Sequence, residues 1–290
     1  MKKKIVLLGC ENSHAKAFLK AINENEQFQN VEAVGVFSEE PEAMKRLHEE
    51  FGVAMMADYA EAAGKVDGVV ITARHGDHHF EYAKPYIESG VPMFIDKPIT
   101  VKEAEAVEFM RCLKASGTRF SGGSSLKQEA LIAELRRDAE ERVGGRTLGG
   151  FVRAPYQPNS EYGGFYFYAQ HLVEMVCEIF GRFPISVTAR KNGDQLHVLF
   201  HYAEYDCVGL FLNRSNQYYA MRVSEEHTKG FEIPMTKEWY YKEFAEFHEL
   251  LFGGEQKISY ESFIAPVFIM NAIERSMLSG REETVTYIEV

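Results

Sequence analysis

This sequence carries no cysteine pairing signal. Its four cysteines, Cys10, Cys112, Cys177 and Cys207, lie far apart and form no CxxC pair. Neither a zinc knuckle nor a disulfide scaffold has support, and a reducing cytoplasmic setting is expected. Long apolar runs are missing too: no stretch approaches the roughly 20 residues that a bilayer-spanning helix needs. The opening MKKKIVLLGC is cut short by Glu11 and Asn12 before it reaches the length of a signal-peptide core. Positive charge is in deficit, with 32 Lys and Arg against 43 Asp and Glu and a formal net charge of -11. That balance argues against sequence-independent affinity for nucleic acid or for an anionic membrane. An anionic ligand would have to be held by a local cluster of basic groups. Internal repeats and low-complexity linkers are absent as well. The 290 residues, 46% of them hydrophobic, suffice for one large domain or two medium ones packed together.

What is present is an alternation. KIVLL, VEAVGVF, VDGVVIT, VPMFI and TRFSG are short runs without a polar face, as strands buried on both sides would be. Between them lie helical patterns. HAKAFLKAINEN puts Ala17, Phe18, Ala21 and Ile22 on one face, and the helix after VEAVGVF has Pro41 in its first turn and Gly52 as its stop. HFEYAKPYIESG ends at Gly90, and TVKEAEAVEFM opens with Thr100 and Glu103 spaced as a capping box. The pattern predicts an α/β fold whose N-terminal domain, residues 1–123, is a Rossmann-type parallel sheet with right-handed crossovers. Ligands of such sheets lie beyond the carboxyl ends of the strands. From 124 to 290 the character changes. Residues 185–233 hold alternating segments with turn signals such as NGD, followed by two helical patterns. This predicts an α+β domain with a mostly antiparallel open sheet.

Four motifs fall at strand ends. The first is Gly9-Cys10-Glu11-Asn12-Ser13-His14 in the first βα turn, where a dinucleotide diphosphate would rest on helix N–H groups. A dinucleotide fingerprint has glycine at its second and third conserved positions; this chain has Glu11 and His14. Ser38 and Glu39 end the second strand, where an acid accepts from an adenosine ribose; with no Arg or Lys following closely, NAD is favoured over NADP. Acids decorating a helix start would look the same. The third motif, Ala73 to His79 (ARHGDHH), offers three histidines and an aspartate. His78 and His79 are neighbours and would point apart rather than ligate one ion, so no metal is expected. The loop is instead expected to line a cofactor path through Thr72, Ala73, Arg74 and His75, with Asp77 capping the next helix.

The fourth is Asp96-Lys97-Pro98 at the end of the fourth strand. Pro98 restricts the backbone of Lys97, aiming an ammonium at the carboxyl edge of the sheet. There it would orient a substrate hydroxyl and favour a developing alkoxide. The plain alternative is a surface ion pair between Asp96 and Lys97.

The stretch VDGVVITARHGDHHFEYAKPYIESGVPMFIDKPITVKEAEAVEFM closely resembles the corresponding part of the Gfo/Idh/MocA oxidoreductase family, with Asp96 where Glu is usual and Lys97 and Pro98 matching. The later half agrees through Gly163, Gly164 and His171 and a closing helix ending near MLSGREETV. The resemblance implies NAD(P)-dependent oxidation or reduction, often of sugars or cyclitols, and a homo-oligomer built through the C-terminal sheet, for which QLHVLFHYAEYDCVGLFL is apolar enough. It makes Lys97 and His171 catalytic, with cofactor contacts at Gly9 to His14, Ser38, Glu39, Thr72 to His75 and Asp96 to Pro98. The family commonly has Asp four residues before the histidine, and Phe167 stands there; Tyr166 or Tyr168 would supply the missing proton donor, Tyr168 being the choice. The plain alternative for His171 is a satisfied core histidine. Arg153, Asn159 and Glu161 among aromatics fit either a sugar site or a domain or subunit interface. The alternative from another class is a ligand-binding or sensing protein that has kept the fold and lost turnover.

Overall fold

The computed structural model describes residues 1–236 and 238–290. Five parallel strands form the first sheet: β1 (Lys3–Leu8), β2 (Val31–Phe37), β3 (Gly68–Ile71), β4 (Met93–Asp96) and β5 (Phe120–Gly123), in the order β2-β1-β3-β4-β5. Helices α1 (Ser13–Glu24), α2 (Pro41–Phe51), α3 (Asp77–Ile87) and α4 (Glu103–Ser116) connect them. β3, β4 and β5 are buried at every position, as strands covered on both faces must be. Gly52 and Gly117 close α2 and α4 in the left-handed conformation.

Two capping expectations fail. α4 starts at Glu103 behind Lys102 with no side-chain cap. The Thr100 hydroxyl, one turn too early, donates to the Lys102 carbonyl instead. α3 starts behind Gly76, so Asp77 is its first residue rather than its cap. There it contributes negative charge to the positive helix end.

The second sheet has seven strands in the order β11-β10-β6-β9-β8-β7-β12. They are β6 (Thr147–Pro155), β7 (Ser186–Asn192), β8 (Gln195–His201), β9 (Asp206–Leu212), β10 (Tyr218–Ser224), β11 (Thr228–Ile233) and β12 (Glu282–Thr284). Only the β6–β9 pair is parallel. β6 lies near the middle of the sheet. α5 (Ala130–Glu140), α6 (Tyr166–Phe180) and α8 (Tyr260–Ser279) pack on one face. On the other, cross-strand neighbours Leu199, Val208, Phe151 and Met221 run in a row, and Val208 is exposed.

α7 (Glu238–Leu251) crosses back over the first domain. Its Phe244 ring lies 5.2 Å from Phe18 and 4.9 Å from Phe28, and Phe247 and Leu251 join the same core. Burying each such aromatic contributes on the order of 2–3 kcal/mol, enough to hold α7 against α1 and beside the site below.

Candidate active site

The carboxyl ends of β1, β2, β3 and β4 meet at the start of α1. Gly9 turns the chain with φ +77°, and a Cβ there would lie 2.2 Å from the Ala73 Cα, so both sterics and backbone demand glycine. The turn is held by the Gly9 and Cys10 amides donating to the Phe37 carbonyl at 2.8 and 3.1 Å, and by the Thr72 hydroxyl donating to the Gly9 carbonyl at 3.0 Å. Burial, with Glu11 beside it, pushes the Cys10 thiol up to about 12, so it is not a thiolate nucleophile. Asn12 caps α1. Glu11 turns across the strand ends, accepting from Ser38 Oγ at 2.7 Å and from the Arg74 amide at 2.9 Å. Gly9 to His14, Ser38 and Thr72 to Arg74 thus come together. Glu39 is exposed beside them, and His75 lies against Gly163 of the second domain.

Asp96 and Lys97 do not form the surface ion pair that sequence reading left open. Both are buried, and neighbouring side chains at a strand end leave in opposite directions. Asp96 points to α1, accepting from Asn12 Nδ2 at 2.9 Å, with its other oxygen on the Lys97 amide at 2.7 Å. His14, where a fingerprint has its last glycine, stands 3.1 Å from Asp96 through Nδ1 and 3.3 Å from Glu243 of α7 through Nε2. Burial pushes Asp96 up to about 6, with His14 and Lys97 opposing, and pushes Glu243 well above the usual carboxylate range. The set therefore holds a proton that two ordinary carboxylates would release.

Lys97, joined to Pro98 by a cis peptide bond, sends its ammonium toward α6. Nζ donates to the Phe167 carbonyl at 3.4 Å and lies 4.7 and 5.4 Å from the Phe167 and Tyr168 ring centroids. Burial lowers its pKa, with Asp96 and Glu243 opposing. Gln170 accepts from the Ile99 amide at 3.2 Å and so anchors the segment after Pro98.

Lys97, Tyr168 and His171 line one cavity of about 590 Å³, together with Asn12, Ser13, His14 and Arg74. The His171 ring lies 5.6 Å from that of Tyr168, and its Nδ1 is 2.7 Å from Ser124 Oγ. Burial, then the nearby Lys97 and His14, holds its pKa well below the ordinary value, so it is a neutral base at pH 7. His171 is buried and held by Ser124, as a core histidine would be, and it also lines the cavity. Tyr166 is buried with its hydroxyl donating to Glu274 at 2.9 Å and is not among the residues lining the cavity. Arg153 reaches Ser215 and Gln217 instead, and Asn159 and Glu161 are not among the lining residues; the polar groups there are Gln157, Tyr162 and Asn216. Sequence reading missed Trp239, Tyr240 and Glu243 of α7. The available signal was a glutamate at 243 sharing the helical face of Tyr240, Phe244 and Phe247. Among the described residues no group of three or more His, Cys, Asp or Glu is arranged to hold a metal.

The buried lysine at the end of β4 faces a cavity beyond the carboxyl ends of the parallel strands, where ligands of such sheets lie. Residues 3–124 match the oxidoreductase family GFO_IDH_MocA, described as an NAD-binding Rossmann fold. A relative from Escherichia coli (strain K12), the uncharacterized oxidoreductase YhhX, is 26% identical over 126 residues, covering 39% of this chain and 35% of that protein. The match thus spans about a third of that relative. Two solved structures share the fold over the full chain. Myo-inositol 2-dehydrogenase from Lactobacillus plantarum has a TM-score of 0.87 at 11% identity, covering 99% of this chain and 100% of that one. GenD2 from gentamicin A biosynthesis, in complex with NAD, has a TM-score of 0.83 at 15% identity, covering 100% of this chain and 97% of that one.

Proposed function

We propose that this protein is an NAD(P)-dependent oxidoreductase that exchanges hydride with a carbon bearing a hydroxyl on a small polyol or sugar. Residues 1–123 would hold the nucleotide, and residues 124–290 the substrate and the oligomer contact. The observation that carries the reading is the convergence of Lys97, Tyr168 and His171 on the cavity beside the start of α1. Inositol dehydrogenases among proteins of the same fold favour a polyol.

The residues present fit a dinucleotide at the Gly9 turn, at the start of α1 and at the Thr72–Ala73 strand end. Glu11 alone would have to turn. NAD is favoured over NADP because Ser38, Glu39 and Glu40 end β2 without an adjacent cation. When bound, the nicotinamide supplies hydride exchange. The chain's own residues do the rest. Lys97 donates to the substrate oxygen and stabilises its negative charge in a partly desolvated site. With its proton on Nδ1, donated to Ser124, His171 offers Nε2 to take the hydroxyl proton. Tyr168 walls the site between them.

Calorimetric titration with NADH and NADPH, after removal of copurified nucleotide, followed by a polyol and sugar turnover screen, tests the reading. Lys97→Ala should lower turnover by about 100-fold or more while changing nucleotide affinity far less. Unchanged turnover would remove Lys97 from the mechanism. The second reading, a ligand-binding protein without turnover, is favoured by the carboxylate lying across the nucleotide cleft; it predicts no binding of either nucleotide.

A further inference from the structure

Glu11 occupies the second position of the diphosphate turn, where a dinucleotide needs close backbone approach. Its carboxylate is engaged: Oε2 accepts from the Ser38 hydroxyl and Oε1 from the Arg74 amide, tying β1 to the ends of β2 and β3. The Ser38 hydroxyl oxygen in turn accepts from the Glu40 amide at 3.1 Å, which fixes its orientation. The Arg74 guanidinium engages Tyr162 instead, donating to its hydroxyl at 2.8 Å and lying 5.0 Å from the ring centroid. Among the described residues no Lys or Arg nitrogen forms an ion pair with Glu11. Glu11 and Glu39 both act on the Tyr82 hydroxyl, so two negative charges sit at the adenosine end of the cleft.

We propose that Glu11 is a carboxylate latch: in the free protein it holds the Ser38 and Arg74 donors of the nucleotide cleft, and it sets the dinucleotide affinity by having to be displaced. The proposal rests on the dinucleotide reading above. A diphosphate approaching the turn meets a like charge in a partly desolvated site. It also has to break two charge-assisted hydrogen bonds before gaining its own. NADPH, with a further phosphate on the ribose, meets the same carboxylate with more negative charge. Glu11 is thereby a specificity-determining residue as well as an affinity-setting one.

The test is calorimetric titration of the full-length wild type, Glu11→Gln and Glu11→Ala with NADH and with NADPH at one ionic strength. Thermal unfolding of each free protein accompanies it. Both variants are expected to bind NADH about tenfold or more tightly than the wild type, a shift of about 1.4 kcal/mol. The gain for NADPH should be at least as large. Glu11→Gln keeps the size and an acceptor oxygen, so it decides the matter if Glu11→Ala unfolds. Wild-type binding with equal or weaker binding by folded variants overturns the latch while leaving the dehydrogenase reading standing. If neither the wild type nor the variants bind either nucleotide, the latch and the dinucleotide reading fall together.

Discussion

Glu243→Gln removes one proton-binding site from the centre of the molecule, and its effect on stability depends on pH with a definite sign. Glu243 is 1% exposed, and neither carboxylate oxygen has a hydrogen-bond partner among the described residues. His14 Nε2 lies 3.3 Å from it. Lys127 and Lys97 pull its pKa down and Glu246 and Glu174 push it up, but burial is the largest effect and the pKa rises well above the ordinary value. The folded protein therefore keeps a proton that the unfolded chain releases above about pH 4.3. Because the native state binds more protons, wild-type stability falls as pH rises, by up to about 1.4 kcal/mol per unit, until the folded-state pKa is passed. Glutamine has no such proton. Between pH 5 and 7 the stability of Glu243→Gln relative to the wild type should rise, by at most about 3 kcal/mol. Asp96, pushed up to about 6, acts with the same sign below that pH and is common to both proteins. Urea unfolding followed by fluorescence reads the difference. Trp239, the single tryptophan, lies on α7 with Nε1 donating to Glu129 at 2.6 Å. A stability difference that stays constant within about 0.5 kcal/mol from pH 5 to 7 would refute the argument and mean that Glu243 is ionised in the folded state.

Gly9→Ala should lower the unfolding temperature by several degrees, because its Cβ would meet Ala73 at 2.2 Å in a backbone with φ +77°; the cost is on the order of 3 kcal/mol or more, and an unchanged calorimetric transition would show that the turn can rearrange. We propose the uncovered face of the second sheet as the homo-oligomer contact. Val208→Asp, which puts a charge in the row of Leu199, Phe151 and Met221, should then yield monomers by light scattering. A wild type that is already monomeric would remove the surface from that role.

The parallel sheet was legible because its strands are apolar on both faces and punctuated by glycine, a pattern that survives without any knowledge of partners. Asp96-Lys97-Pro98 was legible because a charged pair ending a buried strand has few other uses. Other features were not. β6 has glycines at 149 and 150 and an arginine at 153, so it lacks a clean alternation; it becomes a strand because β9 and β10 hydrogen-bond it on both sides. Thr100 and Glu103 have the spacing of a capping box, yet the chain after Pro98 is held by Gln170 of α6, and the helix starts later. Tyr166 and Tyr168 looked interchangeable. Their places on α6 send one to Glu274 in the core and the other to the cavity.

Local chemistry in the sequence determined the strand–helix alternation, the glycine turn at Gly9 and the position of Lys97 at a strand end, because each depends on backbone sterics and burial within a few residues. Only the tertiary structure decided what those groups face. Glu11 closes over Ser38 and Arg74, and Glu243 meets His14 across 229 residues, because the sheet order and the return of α7 bring together charges whose separation along the chain carries no sign of their contact.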